Sequence, residues 1–156
     1  GHAMAAGLRI EAEKIPAFTE AFVERANMTL TGRDLLPSLR LDAEVALSEL
    51  TEPLVRDLDR LQPFGMHNPR PRFATRELQL ADEPRTVGKN GEHLSFLLTD
   101  GQARRRAIAF GHRDRLEGLR AARRCRVAFE PVLNHFNGRT SVELQVLDIA
   151  LPEDNR

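Results

Sequence analysis

Arg104-Arg105-Arg106 is the densest cationic run in this chain, and it falls where strands rather than helices are expected. Three guanidiniums in sequence offer forked donors to phosphate oxygens. Lys89, Arg113, Arg139, Arg70 and Arg72 stand in neighbouring turns and strand ends and can widen such a surface. The chemistry implied is the holding of a polyanion, chiefly by counterion release. The alternative is that these arginines pair with Glu and Asp on adjoining strands. Phe136, beside Asn137-Gly138, is the ring most expected to be exposed, and an exposed ring can stack a base. Phe110 is a second stacking candidate near a strand end. Phe96, Phe110 and Phe129 are nevertheless each expected in the core, because eight Phe, no Trp and no Tyr must fill it.

Bond-breaking chemistry finds no support in the residues. The five histidines (His2, His67, His93, His112 and His135) are scattered, and none pairs with a second ligand at helical spacing. The single Cys125 excludes an internal disulfide framework and a cysteine-rich zinc site. It follows Arg123-Arg124 at an expected strand start, where a half-buried packing role is the plain reading. No nucleophile elbow, phosphate-binding P-loop or dinucleotide fingerprint is present. No catalytic residue and no metal ligand is assigned, and the polypeptide alone is expected to be inactive.

Charge is divided along the chain. The formal net charge is zero, with 23 basic and 23 acidic residues. Residues 1–61 hold seven basic and eleven acidic groups, whereas residues 70–126 hold fourteen basic and seven acidic. The basic half coincides with a strand-rich pattern, which favours a polyanion partner over a merely solvated surface. Of the basic residues, 21 are Arg and two are Lys, a skew that fits a GC-rich genome better than a function. No apolar run approaches a membrane span and no signal peptide is visible, so a cytoplasmic protein without a membrane partner is expected.

The elements that must position these residues fall into two parts. Ile15, Phe18, Phe22, Val23 and Ala26 have helical spacing, with Pro16 in a tolerant first turn. Residues 39–45 alternate as a half-buried strand. A second helix opens near Ser48 or Thr51, either of which can cap it, and Pro53 suits an early position if Thr51 is the cap. Leu54, Leu58 and Leu61 follow at helical spacing. Strands are expected over Phe73 to about Val87, His93–Thr99, Arg104–Phe110, Arg126–Leu133 and Thr140–Ile149. Pro84 weakens the end of the first. Asp100-Gly101 and Asn137-Gly138 are hairpin turns. Leu116 and Leu119 mark a short helix over residues 113–122. A bulge near Val146 would explain why Leu147 and Ile149 leave the phase of Val142, Leu144 and Val146. Five strands with one helix between the third and fourth is the element order of an OB-fold barrel.

Gln62 to Phe73 joins the parts, and its three prolines in nine residues make it a stiff connector. Pro63-Phe64-Gly65-Met66-His67-Asn68-Pro69-Arg70-Pro71-Arg72-Phe73 resembles the Pro-Phe-Gly-x-x-Asn-Pro-x-Pro-x-Phe signature of the RecJ family of single-stranded-DNA-specific exonucleases. Met66-His67 departs from the glycine-containing pair of many relatives. Gly1-His2-Ala3-Met4-Ala5-Ala6-Gly7 is similar to the Gly-Gly-His-x-x-Ala-Ala-Gly motif of the DHHA1 domain, with one leading glycine missing.

The resemblance implies an α+β chain. It would comprise a C-terminal DHHA1 piece over 1–50, a helix and connector over 51–72, a five-stranded OB barrel over 73–152 and a tail over 153–156. It also implies Gly1, His2 and Gly7 as nucleotide contacts, a DNA repair and recombination role, and a catalytic DHH domain outside this chain. The parent would be a divalent-metal hydrolase using Mn or Mg, with no cofactor in this piece. The barrel would then bind single-stranded DNA and guide its 5′ end. Alternatively it docks a repair partner, such as the single-strand-binding protein or a helicase, or it closes a ring around the core.

Overall fold

Leu94, Phe96 and Leu98 are alternate residues of one strand, and all three are fully buried. Such a period of two marks a sheet with one face on a core. The computed structural model describes residues 5–32 and 34–155, with the side chains of residues 153 and 155 left aside. In chain order the elements are α1 (Ile15–Thr29), β1 (Ala43–Glu44), α2 (Glu52–Asp59), β2 (Phe73–Ala74), β3 (Leu78–Leu80), β4 (Arg85–Val87), β5 (His93–Thr99), β6 (Arg104–Ala109), α3 (Leu116–Ala122), β7 (Arg124–Phe136) and β8 (Arg139–Ala150).

The chain forms two units, divided between Leu39 and Arg40. The first holds α1, with Pro16 in its opening turn. Its apolar stripe forms as the spacing predicts, and the Phe18 and Phe22 rings lie 5.7 Å apart. None of its residues is buried, because no second regular element of this unit covers the stripe among the described residues.

The second unit is a closed barrel. β5 pairs with β3 and β6, β6 pairs in parallel with β8, and β8 pairs with β7. β7 returns to β3 at Leu78↔Cys125, which completes the circuit and leaves its strands without a free edge. α3 lies between β6 and β7, at the expected place. Phe96, Phe129, Leu144 and Val127 fill the centre.

The first barrel strand differs from expectation. Residues 73–87 form three short strands rather than one. Thr75 is buried at the first break, where its hydroxyl accepts from the Val127 N–H. At the second break Asp82 Oδ1 accepts from the Leu97 N–H at 2.7 Å, in place of a backbone carbonyl. Pro84 then contributes no donor. One other expectation shifts and one holds. The strand over 39–45 shrinks to Ala43–Glu44, paired in parallel with Phe73–Ala74. The bulge near Val146 is present: Ala128 pairs with Asp148 and Phe129 with Val146, so Leu147 is the extra residue.

Leu47 and Leu50, read from the sequence as the end of an N-terminal piece, are fully buried in the barrel's own core with Val55 of α2. Thr51 caps α2 by accepting from the Leu54 N–H at 3.3 Å. Val55 is the buried residue of α2, whereas Leu61, expected on its apolar face, is 54% exposed.

Asp100 binds this segment to the β5–β6 turn. Its carboxylate accepts from the N–H groups of Ala103 at 2.8 Å, Gln102 at 2.9 Å and Leu47 at 3.2 Å. These bonds, that of Ala103 foremost, hold its carboxyl below the usual range. A carboxyl depressed on folding stabilises fully above its unfolded pKa of about 3.9, and that contribution is lost as pH falls through the folded value. Asp100→Ala is therefore expected to lower Tm at pH 7, with the gap to the unaltered chain narrowing in melts at pH 3. An equal gap at both pH values would show that the ionised carboxylate is not what stabilises the turn.

Candidate nucleic-acid interface

Strand geometry separates the three consecutive arginines. Ala107 and Ala109 are fully buried, so Arg105 shares the inward phase of β6 while Arg104 and Arg106 point outward. Arg105 donates from Nε and Nη2 to the Leu50 carbonyl, at 3.2 and 2.7 Å, and closes the barrel end. Arg106 pairs with Asp82 at 2.8 Å. The ion-pair alternative thus holds for Arg106, and Arg105 serves the backbone. Arg104 is exposed and has no carboxylate partner among the described residues.

A groove of about 310 Å³ lies over this strand end, lined by Arg104, Arg105, Arg106, Thr140, Ser141 and Glu52, among others. Its rim continues into the β7–β8 hairpin. Asn137 and Gly138 take φ of 48° and 73°, the left-handed pair that a tight two-residue hairpin requires. The turn sets Phe136 opposite Arg139 in the ladder. Phe136 is 70% exposed, as expected. The β6 cations and the hydroxyls of Thr140 and Ser141 thus line one depression, while Arg139 precedes Thr140 in β8 and carries Phe136 opposite it. Glu52, held 3.7 Å from Arg56, is the one carboxylate in its lining and opposes an anion there.

The other sequence candidates lie elsewhere. Lys89 is exposed in the turn between β4 and β5. Arg113 Nη1 donates to the Asn90 carbonyl of the same turn at 3.4 Å. Arg70 pairs with Asp59 at 2.8 Å, lies 3.9 Å from Glu130 and sits 4.6 Å over the Phe64 ring. Arg72 joins Glu130 at 3.0 Å. Arg70 and Arg72 therefore bind the connector to β7 instead of adding to the groove, because Glu130 is brought beside them by the fold. Asn68 helps to shape that connector by donating to the carbonyls of Leu61 and Pro63. Gly7 is exposed in the first unit, with no neighbour near a Cβ built on it. Gly1 and His2 lie outside the described residues.

Phe110, expected in the core, is instead 52% exposed. The β5–β6 ladder ends at Leu94↔Ala109, so Phe110 lies past the last pair, just before Gly111. That following glycine is the signal in the sequence. Cys125 is buried, and burial first, with Glu77 second, pushes its thiol up to about 12, which leaves it inert. Among the described residues no group of three or more His, Cys, Asp or Glu is placed to hold a metal ion, so these residues do not fit one. No described helix is long and apolar enough to cross a membrane.

The RecJ OB domain family model matches residues 41–148. Single-stranded-DNA-specific exonuclease RecJ of Bacillus subtilis (strain 168) is 29% identical over 153 residues, covering 98% of this chain and 19% of that protein. The protein of the same name from Haemophilus influenzae is 30% identical over 148 residues, covering 94% of this chain and 25% of its own length. The crystal structure of RecJ in complex with Mn2+ from Thermus thermophilus superposes with a TM-score of 0.73 and 25% identity, over 94% of this chain and 20% of that one. Its Mg2+ complex gives 0.70 and 27% identity, over 92% and 21%. The chain spans about a fifth to a quarter of the length of the curated relatives it matches.

Proposed function

The chain belongs to the RecJ OB domain family, and from that premise we propose that its barrel holds single-stranded DNA and guides it in a 5′-to-3′ exonuclease. The parent would act in DNA repair and recombination in the cytoplasm. The observation that carries this reading is the groove lined by Arg104, Thr140 and Ser141, with the exposed Phe136–Arg139 pair following in the hairpin that supplies Thr140. Guanidinium and hydroxyl groups suit phosphate oxygens, and an open ring suits an unstacked base, which duplex DNA does not present. Hydrolysis would belong to a DHH domain elsewhere in the parent, with Mn2+ or Mg2+ as the divalent metal that supports it. Gly1, His2 and Gly7 would then approach the nucleotide from the DHHA1 piece spanning residues 1–50. No hydrolytic step is assigned to the described residues.

Titration onto a labelled single-stranded oligonucleotide, followed by anisotropy at two salt concentrations with a blunt duplex as competitor, tests the reading. Binding is expected to weaken with salt and to survive the duplex. No binding at low salt would overturn it. That result would favour the second reading, a barrel docking an acidic segment of a repair protein.

A further inference from the structure

We propose that Phe110 is a second DNA contact, a prepositioned platform on which one nucleobase of a single strand stacks, with Lys89 and Arg113 beside it for the adjoining phosphates. This rests on the single-strand-binding reading and adds a separate point of contact to it. Alternate residues of β6 share a face, so Arg104, Arg106 and Ile108 form one outward row, and the exposed Phe110 follows just past its end. At about 3.3 Å per residue the row runs roughly 20 Å from the groove to Phe110.

The ring is half open yet held in place. His93 meets it edge-on, with centroids 5.0 Å apart and planes at 71°. His93 is itself fixed, since its Nδ1 accepts from the Gly111 N–H at 3.1 Å. The His93 ring also lies so close to Gly88, where φ is +90°, that a Cβ there would come within 2.9 Å of Cδ2. His112 Nδ1 donates to the Phe110 carbonyl at 2.8 Å, and Arg113 donates to Asn90 across the turn that carries Lys89. A ring held before its ligand arrives loses little freedom on binding. Phe96 and Phe129 already fill the core, so packing does not require Phe110 to be aromatic. Stacking tolerates any base, because every base offers a π-face.

The chain has no Trp and no Tyr, so Phe110→Trp would carry its only strong fluorophore. Emission from that variant is expected to be quenched by a single-stranded oligonucleotide, and unchanged by an abasic strand of equal length. Phe110→Leu, with an unchanged melting temperature, is expected to bind the base-bearing strand about fivefold or more weaker. Its affinity for the abasic strand should change less than about twofold. Unchanged emission while anisotropy reports binding would overturn the platform and leave the DNA-binding reading standing. Equal losses of Phe110→Leu on both strands would overturn it as well. Absence of any binding by the unaltered chain would overturn both.

Discussion

Phe96→Ala is expected to cost about 3–5 kcal/mol of folding stability, a large part of the roughly 5–15 kcal/mol that holds a typical domain together. Phe96 is fully buried at the middle of β5, which is bonded to β3 and β4 on one side and β6 on the other. The closed ladder holds the strands apart, so the walls cannot collapse into the vacated space, and the cavity cost adds to the lost transfer energy. Urea titration should show a lower midpoint at unchanged slope. Phe136→Ala is the contrast, because a ring that is 70% exposed should cost no more than about 0.5 kcal/mol. A cost for Phe96→Ala as small as that of Phe136→Ala would show that the ring does not fill the barrel.

Replacing Lys89, Arg104 and Arg139 together by Ala is expected to weaken single-stranded DNA binding on the order of 100-fold at low salt. The slope of log affinity against log salt should fall by about 2, since each phosphate contact on a single strand contributes about 0.7. All three side chains are exposed and lack a carboxylate partner among the described residues, so folding should be almost untouched. Arg105→Ala should behave in the opposite way. It removes both donors to the Leu50 carbonyl, so stability falls by about 1–2 kcal/mol while the salt slope stays near its original value. Melting curves and salt titrations of the two variants separate these outcomes. A triple variant with an unchanged slope would move the phosphate contacts off these residues.

The arginines show how far local sequence reaches. Arg104, Arg105 and Arg106 look equivalent in one dimension. A strand sends neighbours to opposite faces, so one of the three turns to the Leu50 carbonyl, and another meets a carboxylate 24 positions away. Arg72 finds Glu130 at a separation of 58. Such partners are invisible until strands are assigned neighbours. Phe110 departs from a core position for a related reason: it follows the outward phase of β6, and it lies beyond the last pair of the ladder. The broken first strand has Pro84 as a partial signal, but the substitution of the Asp82 carboxylate for a ladder carbonyl has none.

By itself the sequence determined what depends on near neighbours. The strand alternation, the Asp100-Gly101 and Asn137-Gly138 turns, the Thr51 cap, the helix before β7 and the connector signature are all written in runs of a dozen residues or fewer. These were enough to reach the barrel and its family, because backbone preference and side-chain periodicity act locally. Tertiary structure alone decided which cations remain available to a ligand, which phenylalanine stays open, and that Leu47, Leu50 and Val55 belong to the barrel's core. Those outcomes turn on which strands and helices become adjacent. Hydrogen bonds, ion pairs and burial join residues tens of positions apart, and closure of the barrel brings them together.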